Sequence, residues 1–456
     1  MLSTIPLLVP PVLFRHPGLE SATHNLMSGN LIAAHNEIGT ILDREPNNLA
    51  AIHVRALAIL LQGRIGEAAD LLAFIVRRNP WLSDVQFNLG LVLVALGRYE
   101  QGLMHIRRGF TQMPGLPHAE KAIAAVKSLV GASPPLQRKL RRGCIISEPA
   151  FYGNRLFDHQ TSRDSVLLPY RRLRDAFLMC GVDLSTRDIN PPEHSDFVVY
   201  ISDYGNGPAP DQKHKSFLIT NEPPSILPHN WTAEFFEKFN KVFTFDDSLV
   251  DGKKFIKWNV PNHFSPPRPM EQDVDRSKFC VMINGAKIIN FPCELYSERI
   301  RVIRWFERNH PEDFDLYGAG WNSADFPSYR GSPKNKAEVL PRYRFSICYE
   351  NMAGIPGMFD TKIFDCLQNG VIPVYWGASN VEDYIPEECF IDRRNFQNME
   401  GLYQYMKSIP DTKYVAMRRA IFEFLSGAEC TEFGVDYFVQ TILRHTLPLV
   451  GHSDPA

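Results

Sequence analysis

The chain has 456 residues, 44% of them apolar and 22% charged, enough for two or three globular domains with sizeable cores. A formal charge of −2 excludes broad affinity for nucleic acid or for anionic membrane surfaces. Eight cysteines without CxxC spacing read as buried thiols of a reducing compartment, and no His or Cys cluster has zinc spacing. Met1 to Leu13 is apolar but broken by Pro6, Pro10 and Pro11 and lacks a basic flank. It is too short and too interrupted to span a bilayer or to act as a signal peptide.

Beyond an N-terminal segment (1–20), residues 21–130 repeat. Gly29, Gly63 and Gly97 are 34 residues apart, as are Pro46, Pro80 and Pro114. Ala34, Ala68 and Gly102 keep the same interval, and so do Ile38, Leu72 and Ile106 and then Leu42, Val76 and Phe110. This period, with small residues where helices cross, predicts an all-α solenoid of the tetratricopeptide-like kind. Its concave surface suits a protein partner or self-association. Gly131 to Pro135 (GASPP) marks the linker at 131–142.

From Gly143 to 265 the pattern changes to short apolar runs. Cys144 to Ser147, Phe197 to Ile201, Ser216 to Thr220 and Lys241 to Phe245 predict strands. Leu168 to Met179 and Trp231 to Phe239 carry helical periodicity, so the domain is α/β with a largely parallel sheet. One strand runs into Asn221, Glu222, Pro223 and Pro224, where the prolines stop the strand and fix a carboxylate just beyond the sheet edge. Lys253 and Lys254 read as a solvated turn. Val260 to Met270, with Pro261, Pro266, Pro267 and Pro269, predicts a hinge.

A second α/β domain is expected over 266–400. Lys278 to Ile283 predicts a strand ending at Asn284, and Leu295 to Glu307 a helix carrying Arg299, Arg301 and Arg304. Asp313 with Asp315, and Asp273 with Asp275, form D-x-D pairs beside apolar runs and outside glycine-rich loops; they read as coincidental, and no metal is expected. Tyr343 to Phe396 then predicts strand, loop, helix, strand. Glu350 and Asn351 end the first strand, Gly354, Pro356 and Gly357 form the loop, Asp360 caps the helix and Gly370 closes it. Lys362 sits in the first helical turn, where the macrodipole disfavours a cation, and so points to an anionic ligand. Asn380 is predicted to cap the helix after Gly377. Two or three helices close the chain over 401–456, with a frayed GHSDPA end.

The segments FSICYEN, TKIFD, GVIPVYWGASN and IPEECFI resemble, in order and spacing, the donor-binding signature of the α-1,3-fucosyltransferases, glycosyltransferase family 10. The resemblance implies a GT-B type fold, with two Rossmann-like domains facing a cleft behind the helical repeats. It implies inverting, metal-independent transfer of fucose from GDP-fucose to a glycan acceptor, without a cofactor. In the family an E-S-P motif supplies the base, and NEPP places Glu222 there. Arg299 matches the arginine that grips the diphosphate; Glu350, Asn351, Asp360, Thr361 and Lys362 match the donor-binding positions. Met358 and Thr361 depart from the family's Y-x-T-E-K, replacing an aromatic and the glutamate expected to accept from the ribose, with Asp360 one residue away as a substitute. Three readings follow: the fucosyltransferase, a catalytically impaired repeat scaffold, and a transferase using another nucleotide sugar or a polypeptide acceptor. The lack of an anchor implies a cytoplasmic, bacterial enzyme, with peripheral attachment to the inner membrane left open.

Overall fold

The computed structural model describes residues 19–79, 82–112, 140–158, 166–180, 182–264, 276–427 and 429–447. Pro80, Pro114, the GASPP linker, the first 18 residues, the prolines at 266–269, Asp273, Asp275 and the final GHSDPA lie outside these. The chain divides into two compact units, one of residues 1–140 with 175–181, the other of 141–174 with 182–456.

Among its described residues the first unit contains six helices, α1 (Leu19–Met27), α2 (Leu31–Arg44), α3 (Leu49–Leu61), α4 (Ile65–Arg78), α5 (Ser83–Ala95) and α6 (Tyr99–Gln112). They pair as three helical hairpins on the 34-residue period. Gly29, Gly63 and Gly97 turn each hairpin with φ of 82°, 82° and 78°, a left-handed conformation that glycine adopts without steric strain. Asn30 and Asn48 cap α2 and α3, accepting from Ala33 and Ala51 N–H. The equivalent residues Ala34 and Ala68, and Ile38, Leu72 and Ile106, are all buried, so each hairpin hides the same stripe against its neighbours.

The second unit holds two parallel sheets. The first lobe contains β1 (Arg141–Ile146), α7 (Leu168–Met179), β2 (Val182–Thr186), β3 (Phe197–Ile201), β4 (Ser216–Ile219), α8 (Ala233–Phe236), β5 (Lys241–Thr244) and β6 (Phe255–Lys257). Strand order is β2-β1-β3-β4-β5-β6, all parallel. β3 and β4 are buried at every residue, which is why they read as unbroken apolar runs. The helix expected over Trp231 to Phe239 is shorter than its periodicity suggests. Pro228–Trp231 forms a 3-10 turn, and Thr232 caps only the single turn Ala233–Phe236. β2, with three polar residues of five, and β6, only three residues long, were not expected from the sequence.

The second lobe contains β7 (Lys278–Ile283), α9 (Tyr296–Asn309), β8 (Phe314–Tyr317), β9 (Tyr343–Tyr349), α10 (Thr361–Gln368), β10 (Ile372–Trp376) and β11 (Ile391–Asp392). Its order is β11-β10-β9-β7-β8, again parallel. Helices α11 (Met399–Ser408), α12 (Asp411–Ser426) and α13 (Val435–Thr446) follow. α13 returns to the first lobe: Phe438 meets Tyr170 and Trp258 edge-on or tilted at 5.9 and 6.0 Å, and His445 meets Phe243 at 5.9 Å. Two backbone bonds, Asn262 N–H to Phe433 O and Val435 N–H to Asn262 O, stitch this return beside Pro261. Two parallel α/β lobes, preceded in the chain by a helical region, make a GT-B-like architecture. No helix among the described residues is long and apolar enough to cross a membrane.

Candidate active site

In the second lobe the chain runs outward from β7 to β8, then returns beside β7 as β9 and runs outward the other way. The crevice beyond the carboxyl ends of β7 and β9 is thus a topological switch point, where open parallel sheets collect ligands. Glu350, immediately after β9, is wholly buried. Its Oε1 accepts the Asp360 N–H at 3.0 Å and its Oε2 accepts from Lys362 Nζ at 3.3 Å. Lys362 also donates to Asp360 Oδ2, while Asp360 Oδ1 accepts the Thr361 N–H at 2.6 Å and caps α10.

The three charges shift one another. Burial pushes the Glu350 carboxyl up, against the pull of Lys362. Burial also acts on Asp360, but the Lys362 ammonium and its hydrogen bond outweigh it and hold that carboxyl well below the usual range. For Lys362, burial disfavours the charge and the two carboxylates more than restore it, so its pKa is raised.

Arg299, expected at a diphosphate, stands behind this cluster with 3% of its surface exposed. Its Nη2 donates to the carbonyls of Tyr349 and Glu350 and to Asn351 Oδ1, and its guanidinium lies 4.5 Å from the Tyr296 ring centre. Its Nε is buried without a partner. The helical spacing around Arg299 was legible, but not the strand-end carbonyls waiting for its guanidinium.

From the first lobe, Glu222 emerges just past β4. Its N–H donates to Ser202 Oγ at 2.7 Å, and its carbonyl accepts from Trp231 Nε1 at 3.0 Å. Ser202 itself has φ of 42°, a strained conformation of the sort that accumulates at functional sites. The backbone of Glu222 is therefore pinned from two sides, while no described side chain bonds its carboxylate. Burial, then the Asp360 charge across the cleft, push its pKa up to about 7; Lys287 and Lys362 pull the other way.

A cavity of about 350 Å³ joins the two sides. Glu222, Glu350, Asn351, Asp360 and Thr361 all line it, so five of the seven residues singled out in the sequence share one chamber. Met358, the departure from the family pattern, lines it as well. Lys362 instead lines a small neighbouring cavity with Asn284 and Lys336. Glu148 and Tyr204 were missed: both line the chamber, with Tyr204 OH donating to Glu148 Oε1 at 2.7 Å. Ser147, Glu148 and Pro149 follow β1 as Glu222 and Pro223 follow β4, so the same strand-then-proline signal was present. Asn380 does not cap the turn after it; its side chain reaches Gly357 N–H and Asp247 instead.

The Asp313–Asp315 pair is committed elsewhere. Asp315 accepts from Lys278, Arg330 and Tyr343 OH, and Asp313 Oδ2 accepts from Tyr403 OH and Lys407, each at 2.6 or 2.7 Å. His310, Glu312 and Asp313 do bring ligand atoms within 4.8 Å of one another, but Lys407 already neutralises Asp313 there.

Residues 288–418 match the family model described as glycosyltransferase family 10 (fucosyltransferase) C-term. An alpha-(1,4)-fucosyltransferase of Arabidopsis thaliana is 35% identical over 86 residues, 18% of this chain and 21% of that one. An alpha-(1,3)-fucosyltransferase of Helicobacter pylori is 35% identical over 74 residues, 16% of this chain and 15% of that one. The matched part thus spans about a fifth or less of these curated relatives. GDP-fucose protein O-fucosyltransferase 3 of Gallus gallus is 23% identical over 330 residues, 66% of each chain. Among solved structures, an alpha1,3-fucosyltransferase with GDP superposes with a TM-score of 0.42 at 17% identity, covering 63% of this chain and 84% of that one. The match over residues 288–418, from the loop after β7 through α9, β9, the capped α10 and β10 into α12, makes this part of the second lobe similar to the C-terminal domain of the family 10 glycosyltransferases, the fucosyltransferases.

Proposed function

We propose that this chain is an inverting glycosyltransferase that moves fucose from GDP-fucose to an acceptor hydroxyl. The observation that carries the reading is the Glu222 carboxylate, bonded by no described side chain and poised near neutrality, opposite the Asp360–Thr361 helix start in one chamber. The acceptor hydroxyl hydrogen-bonds Glu222, and its oxygen attacks the anomeric carbon from the face away from the phosphate. The new C–O bond forms as the bond to the diphosphate breaks, the proton passes to Glu222 and GDP departs. One displacement inverts the anomeric carbon. The Lys362 ammonium, in the cavity beside the chamber, and the positive end of the α10 dipole stabilise the leaving diphosphate, and the step needs no metal. Arg299 serves this site by holding the Tyr349–Asn351 backbone. Eight unpaired cysteines, six of them buried, support a reducing, cytoplasmic setting.

A second reading, a polypeptide acceptor presented by the helical hairpins, is favoured by the breadth of the match to the protein O-fucosyltransferase. Incubating the protein with GDP-fucose, EDTA and either glycans or polypeptides, and weighing the products, decides between acceptors. Release of GDP that needs an acceptor and withstands EDTA is expected. Absence of GDP binding at millimolar concentration by calorimetry would leave only the scaffold.

The pH profile is a separate check. A base must be ionised to work, and Glu222 ionises near 7, so kcat/KM should climb tenfold per unit below that pH and level off above it. A limb centred below about 5 would assign the base to an ordinary carboxylate.

A further inference from the structure

The geometry points to Asp247 and Lys257 as a clasp by which the first lobe holds the Gly354–Asp360 loop of the second in its binding shape. The two are positioning residues, and the assignment rests on the transferase reading only for what the loop serves. Lys257, on β6, donates through Nζ to Asp247 Oδ1 at 2.6 Å, to the Phe245 carbonyl at 2.8 Å and to the Gly357 carbonyl at 3.4 Å. The same ammonium lies 4.9 Å from the centre of the Tyr384 ring. Asp247, just past β5, also accepts from Tyr384 OH at 2.8 Å and from Asn380 Nδ2 at 3.1 Å. Its backbone N–H donates to Pro356 O at 3.1 Å.

The loop is thus gripped at consecutive residues. Pro356 O takes the Asp247 N–H, Gly357 O takes Lys257, and Gly357 N–H goes to Asn380 Oδ1 at 2.8 Å. Gly357 has φ of +74°, and a Cβ there would fall 2.3 Å from Lys257 Nζ and 2.6 Å from both Asp247 carboxylate oxygens. The ion pair and the loop are fitted to each other with no room for a side chain. The three residues that follow, Met358, Phe359 and Asp360, line the chamber, and the Asp360 N–H is the one that bonds Glu350. An ion pair screened this much from water contributes little net stability, since desolvation offsets most of its attraction. What it supplies is geometry: Lys257 reaches the Gly357 carbonyl, the Asp247 N–H reaches the Pro356 carbonyl, and Asn380, bonded to Asp247, takes the Gly357 N–H, all on one loop conformation.

The test compares amide hydrogen exchange of residues 354–361 in the free protein, without donor, in wild type, Asp247→Asn and Tyr384→Phe. Asp247→Asn is expected to speed exchange of this loop roughly tenfold relative to the surrounding sheet. Tyr384→Phe removes one hydroxyl, guards against a variant that fails to fold, and should shift the loop in the same direction by less. In turnover, Asp247→Asn should lower kcat by about ten- to a hundredfold through misplacement of the donor residues. The acidic limb set by Glu222 should stay where it is. Loop exchange equal to wild type in both variants overturns the clasp, whatever the activity. Because exchange is read without any sugar nucleotide, failure of the clasp and failure of the transferase reading are separate results.

Discussion

Glu222→Gln should lose turnover by about a thousandfold while binding GDP as wild type does. General base catalysis contributes on the order of 10²–10⁴-fold, and glutamine keeps the shape of the side chain but cannot take the proton. The geometry of the site is expected to stay as it is, because the fold holds Glu222 by its backbone, through Ser202 Oγ and Trp231 Nε1, and not by its carboxylate. Glu148 lines the same chamber and is the obvious substitute base, so Glu148→Gln is the matched control. Loss of activity in Glu148→Gln with retention in Glu222→Gln would reverse the assignment.

The same substitution makes a stability forecast of opposite sign. The folded pKa of Glu222, about 7, lies above the 4.5 of an unperturbed carboxyl. Between those values the native state holds a proton that the unfolded state has released, so rising pH costs stability across that window. Above it the ionised carboxylate is a standing penalty on the order of 1–3 kcal/mol, discounted for partial exposure. Glu222→Gln should therefore melt higher than wild type at pH 8 and at the same temperature near pH 4. A base held in a site that disfavours its charge trades stability for reactivity.

What the sequence disclosed and what it withheld divides along the range of the interactions. The strand, capped helix and strand from Tyr343 to Trp376 were legible because alternation, an Asp N-cap and a closing glycine are local signals. The place of Glu222, just past its strand, was legible because two prolines mark where that strand must stop. Asn380 was misread for a physical reason: an Asx side chain can bond either the next turn or a distant carboxylate, and here Asp247, 133 positions away, wins. Lys257 meets Gly357 across a hundred positions, and no periodicity encodes such a meeting. Lys362 showed its misplacement against the helix dipole, but not that Glu350 and Asp360 would already be bound to it.

That pairing makes Lys362→Met the second large effect. Lys362 is the cation hydrogen-bonded to both Glu350 and Asp360, and Glu350 has no exposed surface. Removing one member of a buried charged group leaves the others uncompensated, a loss of about 3–5 kcal/mol. In wild type the depressed pKa of Asp360 contributes stability that is present above about 4, the unfolded value, and lost as pH falls through the folded one. Without Lys362 the Glu350 carboxyl loses the charge that pulls its pKa down and Asp360 loses its main depressing partner, so the variant should approach wild type in acid and fall further behind as pH rises. Adding Glu350→Gln removes one stranded charge and should recover part of the lost melting temperature above pH 7. It should not recover transfer, because the leaving diphosphate still lacks its ammonium. Recovery of both together would make Lys362 a structural counterion alone. A single variant that melts like wild type would show that the two carboxylates are held by something other than this lysine.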